Sequence, residues 1–312
     1  MKNKLAITLV ASLISLSALP ASAAVQNEVG SWGLDRIDQA PGIAALDKTF
    51  TYPDLAGAGV RVYVLDTGVQ GNLPGFEGRV IQGFDAIATF RSPSQSNIDC
   101  NGHGTAVAGI IASASYGVAK KATIVPIRVA DCKGGLGPKA IVDGINWIVK
   151  NHPRNTPGVV NMSIAVEKSK AVDDAIQKLL FAGLVPVAAA GNQNRDACRL
   201  SPASTSGVLT VGSVNMNDQR TNTSNFGECV SIYAPGGLVV TEGHKGTPSS
   251  RSGTSFAAPH VAGALALYLA ANKSVRPTEA AWNITSNGLP GAVIDAKSTK
   301  GNILLNLSFL NR

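Results

Sequence analysis

Apolar and polar positions fall into two kinds of segment that alternate along the chain. Short runs rich in β-branched residues, Val60-Arg-Val-Tyr-Val-Leu65, Ala122–Val129, Gly158–Ile164 and Leu184–Ala189, predict strands. Between them, Pro138–Val149 and Ser169–Ala182 predict helices, the first with Pro in its opening turn. A further helix is expected to open at His103, with Gly104, Ala108 and Ala112 on a face that can pack closely. The small apolar stretch Ala257–Ala271 reads as a tightly packed helix, with Ser255 in its first turn. Strand–helix alternation of this kind predicts an α/β fold, a mostly parallel sheet with helices on both faces. No repeat or linker divides it, so one domain is expected from about residue 24 to 312.

Residues 1–23 depart from this pattern. Lys2 and Lys4 precede an apolar run, Leu5–Leu19, and Ala21-Ser22-Ala23 fits a small-x-small cleavage site. A signal peptide is expected there, with a mature chain that is exported, secreted or periplasmic, and not held in a membrane. In an oxidising compartment the four cysteines are expected to be disulfide-bonded; they could pair in three ways. No C-x-x-C spacing suggests a metal site. The formal charge of +7 comes without a block of five basic residues, so nucleic-acid binding is not implied.

Four polar residues stand at the ends of these elements. Asp66 closes a strand in Asp66-Thr-Gly68, where a ligand site or a plain turn are both reasonable. His103 opens a helix beside Gly104; such a residue could be structural or could face a cleft. Asn192 follows Ala188-Ala-Ala-Gly191, where small side chains leave a hollow, although Asn is also an ordinary turn residue. Ser255 sits at the positive end of its helix, a place suited to a nucleophile whose transition state gains negative charge. There Ser255 or Thr254 could equally be a simple N-cap. Together the four supply an orienting acid, a base, an oxyanion donor and a nucleophile, in the chain order Asp…His…Ser.

Around these residues stand Asp66-Thr-Gly, His103-Gly-Thr…Gly109, Ala190-Gly-Asn192 and Gly253-Thr-Ser-Phe-Ala-Ala-Pro-His-Val-Ala-Gly263. In them the chain resembles the subtilisin-like serine proteases. Trp32-Gly-Leu-Asp-Arg-Ile-Asp-Gln39 and Ser201-Pro-Ala-Ser204 are similar to the proteinase K branch, and the cysteine placement to its aqualysin-type bacterial members. The resemblance implies a three-layer subtilisin-like fold and an exported, monomeric serine endopeptidase acting on protein or peptide substrates. It assigns Ser255 as nucleophile, His103 as base, Asp66 as orienting acid and Asn192 as oxyanion donor. It places substrate between the edges Gly134-Gly135-Leu136 and Ser163-Ile164-Ala165, with Ala189-Ala190-Gly191 lining an apolar pocket of broad specificity. It pairs Cys100 with Cys132 and Cys198 with Cys229. It implies no cofactor for the chemistry.

Four features depart from the family. Ala23 is followed almost at once by Trp32, which leaves no room for a pro-segment; folding unaided or with help in trans is then expected. Ser163-Ile-Ala-Val166 replaces Ser-Leu-Gly-Gly, and its added Cβ atoms are expected to narrow the substrate edge. Ala106 replaces a second His. Ser231 replaces an acidic calcium ligand, so structural calcium rests on Asp35, Asp38 and Gln39, which could instead be solvated polar residues at a helix start. Two other classes remain open: a catalytically silent exported binding protein on a protease scaffold, and an esterase. Gly253-Thr-Ser-Phe-Ala257 lacks the G-x-S-x-G elbow of the esterases.

Overall fold

The computed structural model describes residues 22–39, 46–88, 96–298 and 300–311. Most of the expected signal segment lies outside the described residues. In chain order the first elements are β1 (Ala23–Asn27), α1 (Trp32–Asp38), β2 (Thr49–Pro53), β3 (Arg61–Asp66), β4 (Phe84–Asp85), α2 (His103–Ala112) and β5 (Thr123–Arg128). The middle of the chain forms α3 (Pro138–Asn151), β6 (Gly158–Met162), β7 (Val166–Glu167), α4 (Lys170–Phe181), β8 (Leu184–Ala189), β9 (Leu200–Ser201) and β10 (Leu209–Val214). Then come β11 (Ile232–Pro235), β12 (Val239–Thr241), β13 (Ser249–Arg251), α5 (Thr254–Ala271), α6 (Pro277–Ser286), β14 (Leu289–Pro290) and β15 (Ile303–Leu304).

Nine strands form the central sheet in the order β14-β15-β11-β10-β8-β6-β3-β5-β4. All of its pairings are parallel except β14 with β15. The period of two along a strand divides the core. Val62 and Val64 of β3 face one cluster, which holds α2 and α5; Tyr63 and Leu65 face the other, which holds α3 and α4. Helices α3 and α4 each turn one stripe inward: Ile141, Gly144, Ile145 and Ile148 on the first, Val172, Ala175, Ile176 and Leu179 on the second. A Cβ on Gly144 would lie 2.8 Å from Ile127, so the glycine sets how closely α3 approaches the sheet.

Helix α5 is apolar on every side because it is enclosed on every side. Its 18 residues are long and apolar enough to cross a membrane, but 83% of them are buried inside the protein. It packs between α2 and strands β6, β8, β10 and β11. The alternation in the sequence thus yields the expected three-layer α/β architecture, with α5 as the central helix of one layer.

Candidate active site

The polar residues singled out above gather at the carboxyl ends of the central strands. Asp66 is the last residue of β3, Ser163 follows β6, and Asn192 follows β8. Helix α2 brings His103 to the same end, and α5 brings Ser255 in its first turn.

Two glycines allow the first of these approaches. Gly68 has φ +104°, and a Cβ there would meet the Ile98 carbonyl oxygen at 2.2 Å. A Cβ on Gly104 would meet the Gly68 oxygen at 2.1 Å, so only glycine lets α2 lie against the end of β3. In that position His103 Nδ1 is 2.7 Å from Asp66 Oδ1. The same oxygen accepts the Thr67 N–H at 2.8 Å. Asp66 is 1% exposed. The imidazole also contacts the Phe256 ring, with centroids 5.1 Å apart and the rings tilted by 55°.

Burial alone would disfavour the charged imidazole. The Asp66 charge and hydrogen bond outweigh it, Asp99 adds to them, Arg251 opposes, and the net shift is upward from 6.5. Asp99 is the functional neighbour that the sequence reading missed. Its Oδ1 accepts from Thr67 Oγ1, Asn101 N and Gly102 N, and its Oδ2 from Thr105 N and Oγ1. One carboxylate therefore caps α2 and ties it to the Asp66 turn. The available signal was an acidic residue shortly before the helix start.

Asn192 is held by Thr254. Its Oδ1 accepts from the Thr254 N–H at 2.9 Å and the Thr254 hydroxyl at 3.1 Å. The Thr254 oxygen in turn accepts the Gly191 N–H at 3.1 Å. With its carbonyl side occupied twice, Asn192 keeps its amide N–H groups as donors.

Ser255 is coupled to Ser163 by two bonds. Ser255 Oγ donates to the Ser163 carbonyl at 3.2 Å, and Ser163 Oγ donates to the Ser255 carbonyl at 2.7 Å. The second bond follows from Pro259 inside α5. A residue with an N–H at position 259 would bond the carbonyl four residues back; proline has none, so the Ser255 carbonyl is left for Ser163. Asn161 Nδ2 donates to Ser163 Oγ at 3.0 Å and fixes that hydroxyl. No hydrogen bond joins Ser255 Oγ to His103 in this state.

Asp66, His103, Gly134, Leu136, Ser163, Ile164 and Ala165 line one cleft of about 430 Å³. Gly135 is not among its lining residues; a Cβ there would lie 2.7 Å from Asp131, whose carboxylate shapes this turn. Ala189, Ala190 and Gly191 are buried at the end of β8. Past the edge, Val166 and Glu167 pair with β9, and Glu167 meets Arg195 at 2.6 Å. Ala106 is buried in α2. Ser231 N donates to the Thr210 carbonyl, in main-chain register with β10.

Cys100 is bonded to Cys132 and Cys198 to Cys229, at sequence separations of 32 and 31. The first bridge ties the His103 loop to the Gly134 edge, and the second closes the segment after Asn192.

The subtilase family model matches residues 57–302. The chain belongs to the subtilase family. Among similar proteins, an extracellular serine proteinase of Thermus sp. (strain Rt41A) is 41% identical, over 89% of this chain and 66% of the relative. Alkaline serine exoprotease A of Vibrio alginolyticus is 40% identical, over 94% of this chain and 53% of the relative. A solved structure, the crystal structure of a cold adapted subtilisin-like serine proteinase, superposes with TM-score 0.82 at 40% identity, over 88% of this chain and 97% of that one. This subtilase therefore spans about two thirds, or about half, of the length of those curated relatives.

One expectation is corrected. Asp35 lies in the first turn of α1 but is 4% exposed rather than solvated, and Asp38 is the last residue of the helix. The Asp35 oxygens accept the backbone N–H groups of Asp47 and Lys48. Burial pushes the Asp38 carboxyl up to about 7, and the charges of Asp35 and Asp47 add to the shift. Gln39 Nε2 donates to Asp47 Oδ1 at 3.0 Å. Among the described residues, no three His, Cys, Asp or Glu side chains are grouped as metal ligands.

Proposed function

We propose that this subtilase is an exported serine endopeptidase that cleaves peptide bonds through an acyl-enzyme. The observation that carries the reading is the 2.7 Å contact of His103 with buried Asp66, in a cleft beside Ser255 at the N-terminus of α5. His103 takes the Ser255 proton as Oγ attacks the substrate carbonyl, and later gives a proton to the leaving amine. Asp66 holds the tautomer with the proton on Nδ1, so that Nε2 is the basic atom, and it stabilises the imidazolium. Attack requires the Ser255 hydroxyl to turn from the Ser163 carbonyl to His103 Nε2, a bond that forms as substrate fills the cleft. The oxyanion is held by the Asn192 amide and the Ser255 N–H at the positive end of α5.

Substrate lies extended between Gly134–Leu136 and Ser163–Ala165 as an added strand. The main chain gives the affinity, and the buried alanines behind the cleft give an apolar pocket. Protein or peptide substrates, a monomeric state and secretion after loss of residues 1–23 belong to the same reading. The chemistry needs no cofactor. Structural calcium, which the family resemblance places at Asp35, Asp38 and Gln39, would act on the fold alone.

The test is hydrolysis of casein and a short chromogenic peptide by the wild-type chain and by Ser255→Ala, each with and without calcium. Loss of turnover in Ser255→Ala, with calcium raising only thermal stability, is the expected result. A folded wild type that cleaves neither substrate would leave a silent binding protein on a protease scaffold.

A further inference from the structure

The amino ends of the central strands hold a second cavity, of about 550 Å³, within the size range of small-ligand sites. It opens where β6 begins at Gly158, below the last turn of α5 at Leu269. Measured along α5, it lies roughly 20 Å from Ser255. Four cationic side chains line it: Lys150 at the end of α3, Arg154 in the following loop, and Lys273 and Arg276 between α5 and α6. No Asp or Glu lines it, and none of the four cations takes part in an ion pair among the described residues.

Helix dipoles account for part of this charge. Lys150 and Lys273 lie at or just past the C-termini of α3 and α5, where a cation is favoured. They do not account for Arg154, which is in a loop, or for Arg276. Arg276 is the N-cap residue of α6, makes no side-chain cap, and sets its cation at the positive end of a ten-residue helix. Glu279, one turn further on, is exposed and lies outside the cavity, and its charge falls on Tyr268. His152 in the cavity wall adds no charge. Its Nε2 donates to the Thr156 carbonyl, its Nδ1 accepts from Tyr63 Oη, and burial, with Arg61 nearby, holds it below its ordinary pKa.

Unpaired cations drawn from separate segments into one concave space are complementary to a multiply charged anion. We propose that this cavity binds a small ligand carrying several phosphate or sulfate groups, with Arg154 and Arg276 as fork-shaped donors and Lys150 and Lys273 as point charges. The proposal stands on the cavity and does not depend on what the cleft hydrolyses.

The test is calorimetric titration of the full chain at low ionic strength, with sodium tripolyphosphate in one arm and sucrose octasulfate in the other. Saturable binding of one anion per chain is expected in at least one arm, and the arm that binds separates phosphate from sulfate. Combined Lys150→Gln, Arg154→Gln, Lys273→Gln and Arg276→Gln should weaken it tenfold or more. Should that variant not fold, Arg276→Gln alone decides, with an expected loss of several-fold. Arg251→Gln, at the cleft, should bind as wild type does. No saturable binding in either arm, unchanged affinity in Arg276→Gln and the combined variant, or a loss confined to Arg251→Gln would overturn the proposal.

Discussion

The two ends of the central sheet use polar groups in opposite ways. At the carboxyl ends the charged and polar side chains are bonded to one another, with Asp66, Asp99 and Thr254 buried, His103 partly buried and Asn192 exposed. Asp99 accepts five hydrogen bonds, Asp66 holds both Thr67 and His103, and Thr254 fixes one face of Asn192. At the amino ends four exposed cations converge without a carboxylate among them. A buried network of hydrogen bonds fixes geometry, as a reaction centre requires. Exposed charges of one sign fix no geometry; they create a field, as capture of a charged ligand requires. The Cys100–Cys132 disulfide lies at the first end, which adds to its rigidity.

The largest effect expected on this contrast comes from Asn192→Ala. It removes the amide proposed to hold the oxyanion, while Thr254 keeps its place in α5. A fall of roughly 10²–10³ in kcat with little change in KM is expected, a magnitude taken from subtilisin, which belongs to the same family. Steady-state kinetics on the chromogenic peptide measure it, and a rise in KM with kcat unchanged would assign Asn192 to ground-state binding.

Next is the covalent stiffening. Replacing Cys100 and Cys132 by Ser should lower stability by about 3–4 kcal/mol in the chain-entropy account, and the same change at Cys198 and Cys229 by a similar amount. Denaturant unfolding compares them. The first pair should also depress kcat/KM under conditions where the chain remains folded, because it joins the His103 loop to the Gly134 edge. Equal stability with unchanged kinetics would remove the rigidity argument.

The smallest effect is electrostatic. His103 must be neutral to act as base, and its pKa lies above 6.5, so kcat/KM should rise with pH through a value on that side. Arg251 opposes the charged imidazole, so Arg251→Ala should move the acid limb to still higher pH. Lys150→Ala, at the other end of the sheet, should leave it in place. A limb that moves equally in both variants would mean that the two ends share one field.

Much of this organisation is legible along the chain. The run Val60–Leu65 forms β3 one residue later, Leu184–Ala189 forms β8, and the small-residue stretch after Ser255 forms α5. These elements are set by local periodicity, and the motif residues sit at their ends. Relations across long sequence separations were not legible. Nothing local shows that Pro259 frees a carbonyl for Ser163, 92 residues from Ser255, or that Asp99 serves both α2 and the Asp66 turn. The basic cavity is hidden for the same reason. Its cations come in two groups more than 100 residues apart, and neither is a basic block in the sequence.

The central claim is that His103 and Asp66 make Ser255 a nucleophile. Its most direct test is mass-spectrometric mapping of the full chain after reaction with a fluorophosphonate, beside His103→Ala. A single adduct on Ser255, formed rapidly in the wild type and slowed at least a thousandfold in His103→Ala, is the predicted result. A folded wild type that stays unlabelled at Ser255, or one labelled equally fast without His103, would contradict the account.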